Sequence, residues 1–404
     1  MFQIKAYIAK EANTELQEVT IPRRTLGSND LLIQIMFTSI NQFDVNNLSN
    51  KNNRYPMVPG LELTGIVDAV GEEVVYRGVG QVVGVGRVID SCRDCQMCNN
   101  GQEQYCEKKP TYIYNCQNAF NHSNEQGFPT FGGASQYIVV NERYTYTFPN
   151  VNVNLAGITP MLHTGMLVYS PMKNFDLKSN HKVGIIGLEG IGHIAVKFAV
   201  ALGANVTVFE TVKSKKTSAL YELKADSFVC INDEELDEVK DTFDFILDTR
   251  FDISDLNKFV NLLKVNGELS VINMSKEEIN KTVEGLNLGT KIVKKSVLGG
   301  KKQIQDMINL CCHNEIYCDI ELIYAYQINE AIQRTKESDI KYIFVLDITT
   351  IDKEKQGHES FDDIIGNAIN KMEDDNREEL TEQPTNTSLY VLDEDSSEVE
   401  SDSE

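Results

Sequence analysis

No run of apolar residues in this chain approaches the roughly twenty needed to span a bilayer, which excludes a membrane-spanning helix. A secretory leader is not expected either. The start, MFQIKAYIAKEANTEL, alternates apolar and polar residues like a strand and has no long apolar core. Basic charge is scarce: 38 Lys and Arg stand against 60 Asp and Glu, a formal charge of −22, and that balance excludes general nucleic-acid binding. The deficit is uneven. Residues 351–404 hold 18 acids and 4 bases, a net of −14, which leaves −8 for the rest. A disulfide framework is not expected, because in the expected intracellular compartment nine cysteines read as free thiols and metal ligands. The expected location is intracellular, in the cytoplasm.

What is present divides the chain. At 404 residues it exceeds a single core, so two domains and an appendage are expected. Residues 181–210, HKVGIIGLEGIGHIAVKFAVALGANVTVFE, carry the strongest local signal. Val183, Ile185 and Ile186 make a short buried strand. Gly187, Gly190 and Gly192 punctuate a turn, and Ile194, Ala195, Phe198, Ala199 and Leu202 follow at helical spacing up to Gly203. A second strand, Val206 to Phe209, closes on Glu210. This is the pattern of a dinucleotide-binding βαβ unit. The middle glycine of that pattern, where a diphosphate approaches bare backbone, is Glu189. A glutamate adds bulk and like charge there, and its carboxylate is a candidate to fill the amide nest in place of phosphate.

Upstream, short alternating runs such as DLLIQIMF, LTGIVDAV and ASQYIVV read as an all-β unit. Inside it, Cys92, Cys95, Cys98 and Cys106 follow C-x2-C-x2-C-x7-C spacing. Four thiolates on one loop suit tetrahedral zinc with no open position, a structural site.

The four-cysteine loop, the glycine-rich unit and the segment FGGASQYIVVNERYTYTFPN resemble the zinc-type medium-chain dehydrogenases. MLHTGMLVYSPMKNF, KKTSALYELKADSFV and DIKYIFVLDI continue the likeness, which is greatest to the cinnamyl-alcohol-dehydrogenase branch and spans residues 1–348. The resemblance implies an α/β protein. It consists of a GroES-like β-rich catalytic domain at 1–155 with a zinc lobe at 90–107, and a Rossmann doubly wound parallel sheet at 156–290. The chain then returns to the first domain at 291–348. Homodimerisation is also implied. Residues 349–404, beyond the resemblance, read from their own pattern as an amphipathic helix and disordered acidic tail.

That family transfers hydride between a nicotinamide and an alcohol or aldehyde, with a second zinc polarising the substrate oxygen. By the resemblance, the ligand positions of that zinc hold Asn41, Leu61 and His163, with Gln42 and Phe43 beside them. Glu62 and His163 remain as donors, and Asp44 as a remnant carboxylate. A rebuilt Asp44/Glu62/His163 site is conceivable, but the favoured reading of His163 is a neutral pocket histidine. The stretch Asn41-x-x-Asp44 with Pro59-Gly60-Leu61-Glu62 also resembles the zinc-free quinone reductases. For the cofactor, Glu210 is placed to accept from a ribose 2′-OH and favours NAD, whereas Lys215 and Lys216 match basic positions used near the phosphate of NADP. Three readings follow. The favoured one is an alcohol-dehydrogenase-like protein that keeps one structural zinc, binds NAD or NADP weakly, and is catalytically silent or strongly impaired. The alternatives are a zinc-independent NAD(P)H-dependent reductase of activated double bonds or carbonyls, and a zinc- and NAD(P)-dependent alcohol or aldehyde dehydrogenase.

Cys230, Cys311, Cys312 and Cys318 have no metal spacing and read as buried thiols. In the tail, Phe361, Ile364, Ile365, Ala368, Ile369 and Met372 share a helical face. LYVLDEDSSE, residues 389–398, resembles a SUMO-interacting motif for a protein partner, and Ser397 and Ser401 precede acids as acidic-directed kinases prefer.

Overall fold

Period-two burial builds the first lobe. In β1 (Phe2–Ile8) and β2 (Gln17–Arg23), the buried Ile4, Ala6, Val19 and Ile21 face one core, and the strands pair antiparallel. A longer sheet is made by β3 (Asp30–Ile40), β4 (Leu63–Val70) and β5 (Val82–Val85), with β8 (Tyr137–Asn141) and β9 (Thr145–Thr147) at its margins. Between β5 and β8 a two-stranded ribbon, β6 (Val88–Asp90) with β7 (Thr111–Tyr112), brackets the four-cysteine loop. The computed structural model describes residues 1–117, 128–149, 153–250, 255–286, 288–337, 342–351 and 359–360.

Apolar runs buried on both faces make the second lobe. Six strands, β10 (Lys182–Ile186), β11 (Asn205–Glu210), β12 (Ser227–Cys230), β13 (Phe243–Asp248), β14 (Leu263–Val271) and β15 (Ile292–Lys295), pair in parallel in the order β12-β11-β10-β13-β14-β15. The strand order reverses between β10 and β13, and in such sheets ligands bind in the crevice at the carboxyl ends of the strands at that reversal. The glycine turn after β10 lies there. The pattern LNKFVNLLKVNG reads as a helix by sequence, but the helix ends at Val260 and Leu263 already begins β14. Phe259, Val260, Leu262 and Leu263 are all buried, and a run apolar on every side does not distinguish helix from buried strand.

Two further strands, β16 (Ile320–Tyr324) and β17 (Ile343–Asp347), return to the first lobe, where β17 lies antiparallel against β3. A buried apolar core joins Met161, Leu162 and Met166 to Ile194 and Phe198 of the second lobe. Cys230, Cys311, Cys312 and Cys318 are buried, as expected. No helix among the described residues is long and apolar enough to cross a membrane. The expected 361–372 stripe, the 389–398 motif, Ser397 and Ser401 lie outside the described residues.

Candidate metal centre, dinucleotide turn and buried polar cluster

The loop between β6 and β7 brings four sulfurs together. Sγ atoms of Cys92, Cys95, Cys98 and Cys106 all lie within 4.8 Å of one another, a spacing that fits one tetrahedral zinc with no open position. Backbone amides point at the sulfurs: Cys95 N donates to Cys92 Sγ at 3.4 Å and Cys92 N to Cys106 Sγ at 3.4 Å. The loop also props the returning segment, since Gln104 Nε2 donates to Leu298 O at 3.0 Å and Lys301 N to Glu103 Oε2 at 3.3 Å. This is a structural zinc site.

Glycines shape the dinucleotide turn. Gly187 has φ +85°, and a Cβ on Gly192 would meet Gly187 O at 2.2 Å, so strand and helix touch through bare backbone. Around Gly190, a Cβ would meet nothing within 4 Å. No side chain caps the helix Gly192–Ala201. Glu189 therefore does not fill the amide nest. Its carboxylate is exposed and bonds Lys215 Nζ at 2.7 Å, because that ammonium offers a stronger partner than neutral amides. Lys215 also reaches Glu210 Oε2 at 3.0 Å. Glu210, expected as a free acceptor, is already engaged: it accepts from Leu188 N at 3.2 Å and from Thr211 N at 2.8 Å.

A third cluster joins the lobes. Asn41 and Asp44 form a capping box for the helix Gln42–Ser49: Asn41 Oδ1 accepts from Phe43 N at 2.8 Å, and Asp44 Oδ2 accepts from Asn41 N at 3.1 Å. The second Asp44 oxygen accepts from Gly60 N at 3.0 Å. Glu62 is fully buried and carries four donors. Oε1 accepts from Ser39 Oγ at 2.7 Å and Thr164 Oγ1 at 3.0 Å, and Oε2 from His163 N at 2.5 Å and Thr164 N at 3.2 Å. Burial pushes Glu62 up to about 8 and Asp44 up to about 6 despite these bonds. Burial, helped by the charge of Arg87, pushes His163 down to about 3, which favours the neutral imidazole. Leu61 is packed in the core.

Asp44, Glu62 and His163 thus do not close into a metal site: among the described residues, the four cysteines are the one such group. Sequence reading missed Ser39, Thr164 and Arg87. For Arg87 the signal was present, a single base inside the apolar run 82–88. For Ser39 and Thr164 there was none, because their partner is distant in the chain.

Two family models match the chain, one described as alcohol dehydrogenase GroES-like domain over residues 27–150 and one as zinc-binding dehydrogenase over residues 190–312. The probable cinnamyl alcohol dehydrogenase 1 of Oryza sativa subsp. japonica is 39% identical over 348 residues, covering 85% of this chain and 96% of that one. Vomilenine reductase of Rauvolfia serpentina is 37% identical over 346 residues, covering 85% and 94%. A crystal structure of CAD from Helicobacter pylori complexed with NADP(H) has a TM-score of 0.77 at 32% identity, covering 86% of this chain and 98% of that one. The chain belongs to the zinc-type medium-chain dehydrogenase/reductase family, in its cinnamyl-alcohol-dehydrogenase branch.

Proposed function

We propose that this chain is an NAD(P)H-dependent reductase of carbonyls or activated double bonds that works without a second zinc. The observation that carries the reading is the Lys215–Glu189 ion pair. It draws the one acidic side chain of the turn away from an uncapped helix start, which leaves amides and dipole free for a diphosphate. The turn from Gly187 to Gly192 would hold that diphosphate, with Lys215 and Glu210 beside the adenosine ribose. A bound nicotinamide nucleotide supplies the hydride.

A second zinc does not fit the residues present. Asn41 is spent as a helix cap, Leu61 offers no lone pair, and both oxygens of Glu62 are saturated by donors. His163 is then the one remaining donor, and three protein ligands are the usual minimum. The name of the Rauvolfia relative, a reductase, is compatible with this assignment.

The test is NADPH and NADH oxidation with a conjugated aldehyde such as cinnamaldehyde. Turnover that persists with one zinc per chain is the expected result. Alcohol oxidation that needs a second zinc would overturn the zinc-free chemistry. Absence of nucleotide binding by calorimetry would overturn the reductase and leave the silent reading.

Cofactor choice gives a separate expectation. Glu189→Gln removes one of two carboxylates that hold Lys215, freeing charge for a 2′-phosphate. NADPH affinity should rise by about two- to fivefold, the worth of one largely exposed charge pair, with a smaller change for NADH. Equal changes for both nucleotides would argue against this role for Lys215.

A further inference from the structure

Arg87 belongs neither to the zinc loop nor to the dinucleotide turn, and it donates nothing to Glu62. It follows β5 at the edge of the buried polar cluster and is partly buried. Its guanidinium sits over the ring of Phe43, 4.8 Å from the centroid, and over the ring of Tyr112 at 4.2 Å. Two aromatic faces hold the planar cation in place. The Phe43 ring in turn lies 6.0 Å from the His163 ring, edge to face. Among the described residues, no carboxylate pairs with Arg87, and its side chain donates no hydrogen bond. The other partly buried arginines differ: Arg24 is paired with Asp30, Arg93 with Asp90, Arg250 with Asp248 and Asp255, and Arg334 with Glu321, while Arg77 donates to Thr145 Oγ1, Thr145 O and Tyr76 O. In a chain with 60 acids and 38 bases, a positioned guanidinium with an unfilled fork is a built anion receptor. The neutral His163 adds no competing charge.

We propose that Arg87 binds a carboxylate of the substrate, so that the reducible compound is an anionic carbonyl or unsaturated acid. The guanidinium fork matches a carboxylate with two parallel hydrogen bonds. The inference rests on the reductase reading for the word substrate, but the receptor itself is testable without turnover. Arg87 is a specificity residue in this account. It anchors the acid group and leaves the reacting bond beside Phe43 and His163.

The experiment titrates cinnamate, and separately the neutral cinnamamide, into the full-length protein by calorimetry. The same titrations are repeated with Arg87→Gln and Arg87→Lys. Wild-type protein should bind cinnamate more tightly than cinnamamide by on the order of 30-fold, the worth of a charge-assisted pair. Arg87→Gln should lose that preference, and Arg87→Lys should keep part of it. Equal binding of acid and amide by wild-type protein, or an acid preference unchanged in Arg87→Gln, would overturn the proposal. If cinnamate binds through Arg87 but no aldehyde is reduced, the reductase reading fails and the receptor stands. If 4-carboxycinnamaldehyde is reduced no better than cinnamaldehyde while both turn over, the receptor fails and the reductase stands.

Discussion

One zinc atom per chain is the expected metal content of purified protein, and Cys92→Ser or Cys106→Ser should take it to none. The four sulfurs already lie within 4.8 Å of one another, and thiolates held so close repel unless a cation joins them. Structural zinc contributes about 10 kcal/mol or more of binding free energy in small domains. Part of that is lost to folding when a ligand is removed, so a cost of at least ~3 kcal/mol is expected here. The loss should spread beyond the loop. Glu103 and Gln104 hold Lys301 and Leu298 of the returning segment, so proteolysis near residue 300 should accelerate in the variants. Mass spectrometry for zinc and urea unfolding check both parts. Two zinc atoms in the native protein would mean that the pocket around His163 does hold metal.

Replacing Glu62 is expected to have the second-largest effect. Glu62→Leu strips acceptors from the amides of His163 and Thr164 and from two hydroxyls. Hydroxyls rotate to find other partners, but the amides cannot, and each orphaned buried donor costs about 1–3 kcal/mol. A total of about 4 kcal/mol is expected in denaturant unfolding. Glu62→Gln should be far milder. Its carbonyl oxygen faces the two amides, and its NH₂ group donates to Ser39 and Thr164 with their hydroxyls reversed.

The pH dependence separates the two cases further. Glu62 ordinarily titrates at 4.5 and is pushed up to about 8 by burial. Between those values the folded chain holds a proton that the unfolded chain has released, so stability falls as pH rises through that window. Glu62→Gln should flatten the slope, and an unchanged slope in that variant would assign it to other groups.

Where the sequence succeeded, a single residue type met a single geometric demand. Gly187 and Gly192 are legible because a turn with φ +85° and a backbone contact at 2.2 Å exclude side chains. The cysteines are legible because zinc needs four soft donors at short spacing. Glu189 was readable as an intruder but not as a paired one. Its partner Lys215 comes from beyond β11, and only the fold brings the two ends together. Glu62 looked like a spare metal donor for the same reason. Three of the four groups that saturate it belong to His163 and Thr164, a hundred residues later in the chain. Long-range polar pairing leaves no periodic trace, so the chemistry of this pocket had to be read from its hydrogen bonds.

The pairing of β17 with β3 also bears on the order of assembly. Phe344 lies opposite Ile40, so the sheet begun by the earliest residues is finished by a strand that leaves the ribosome about three hundred residues later, a contact of high sequence separation that slows folding. Until then β8 covers Asp30–Gln34 on that side of β3, and the Phe37–Ile40 end has no neighbour there. The parallel sheet in between draws its strands from one unbroken stretch of chain and is free to form while that edge waits. Synthesis therefore passes through a stage in which the parallel sheet is paired and the first lobe is open, and β17 closes that gap when it arrives.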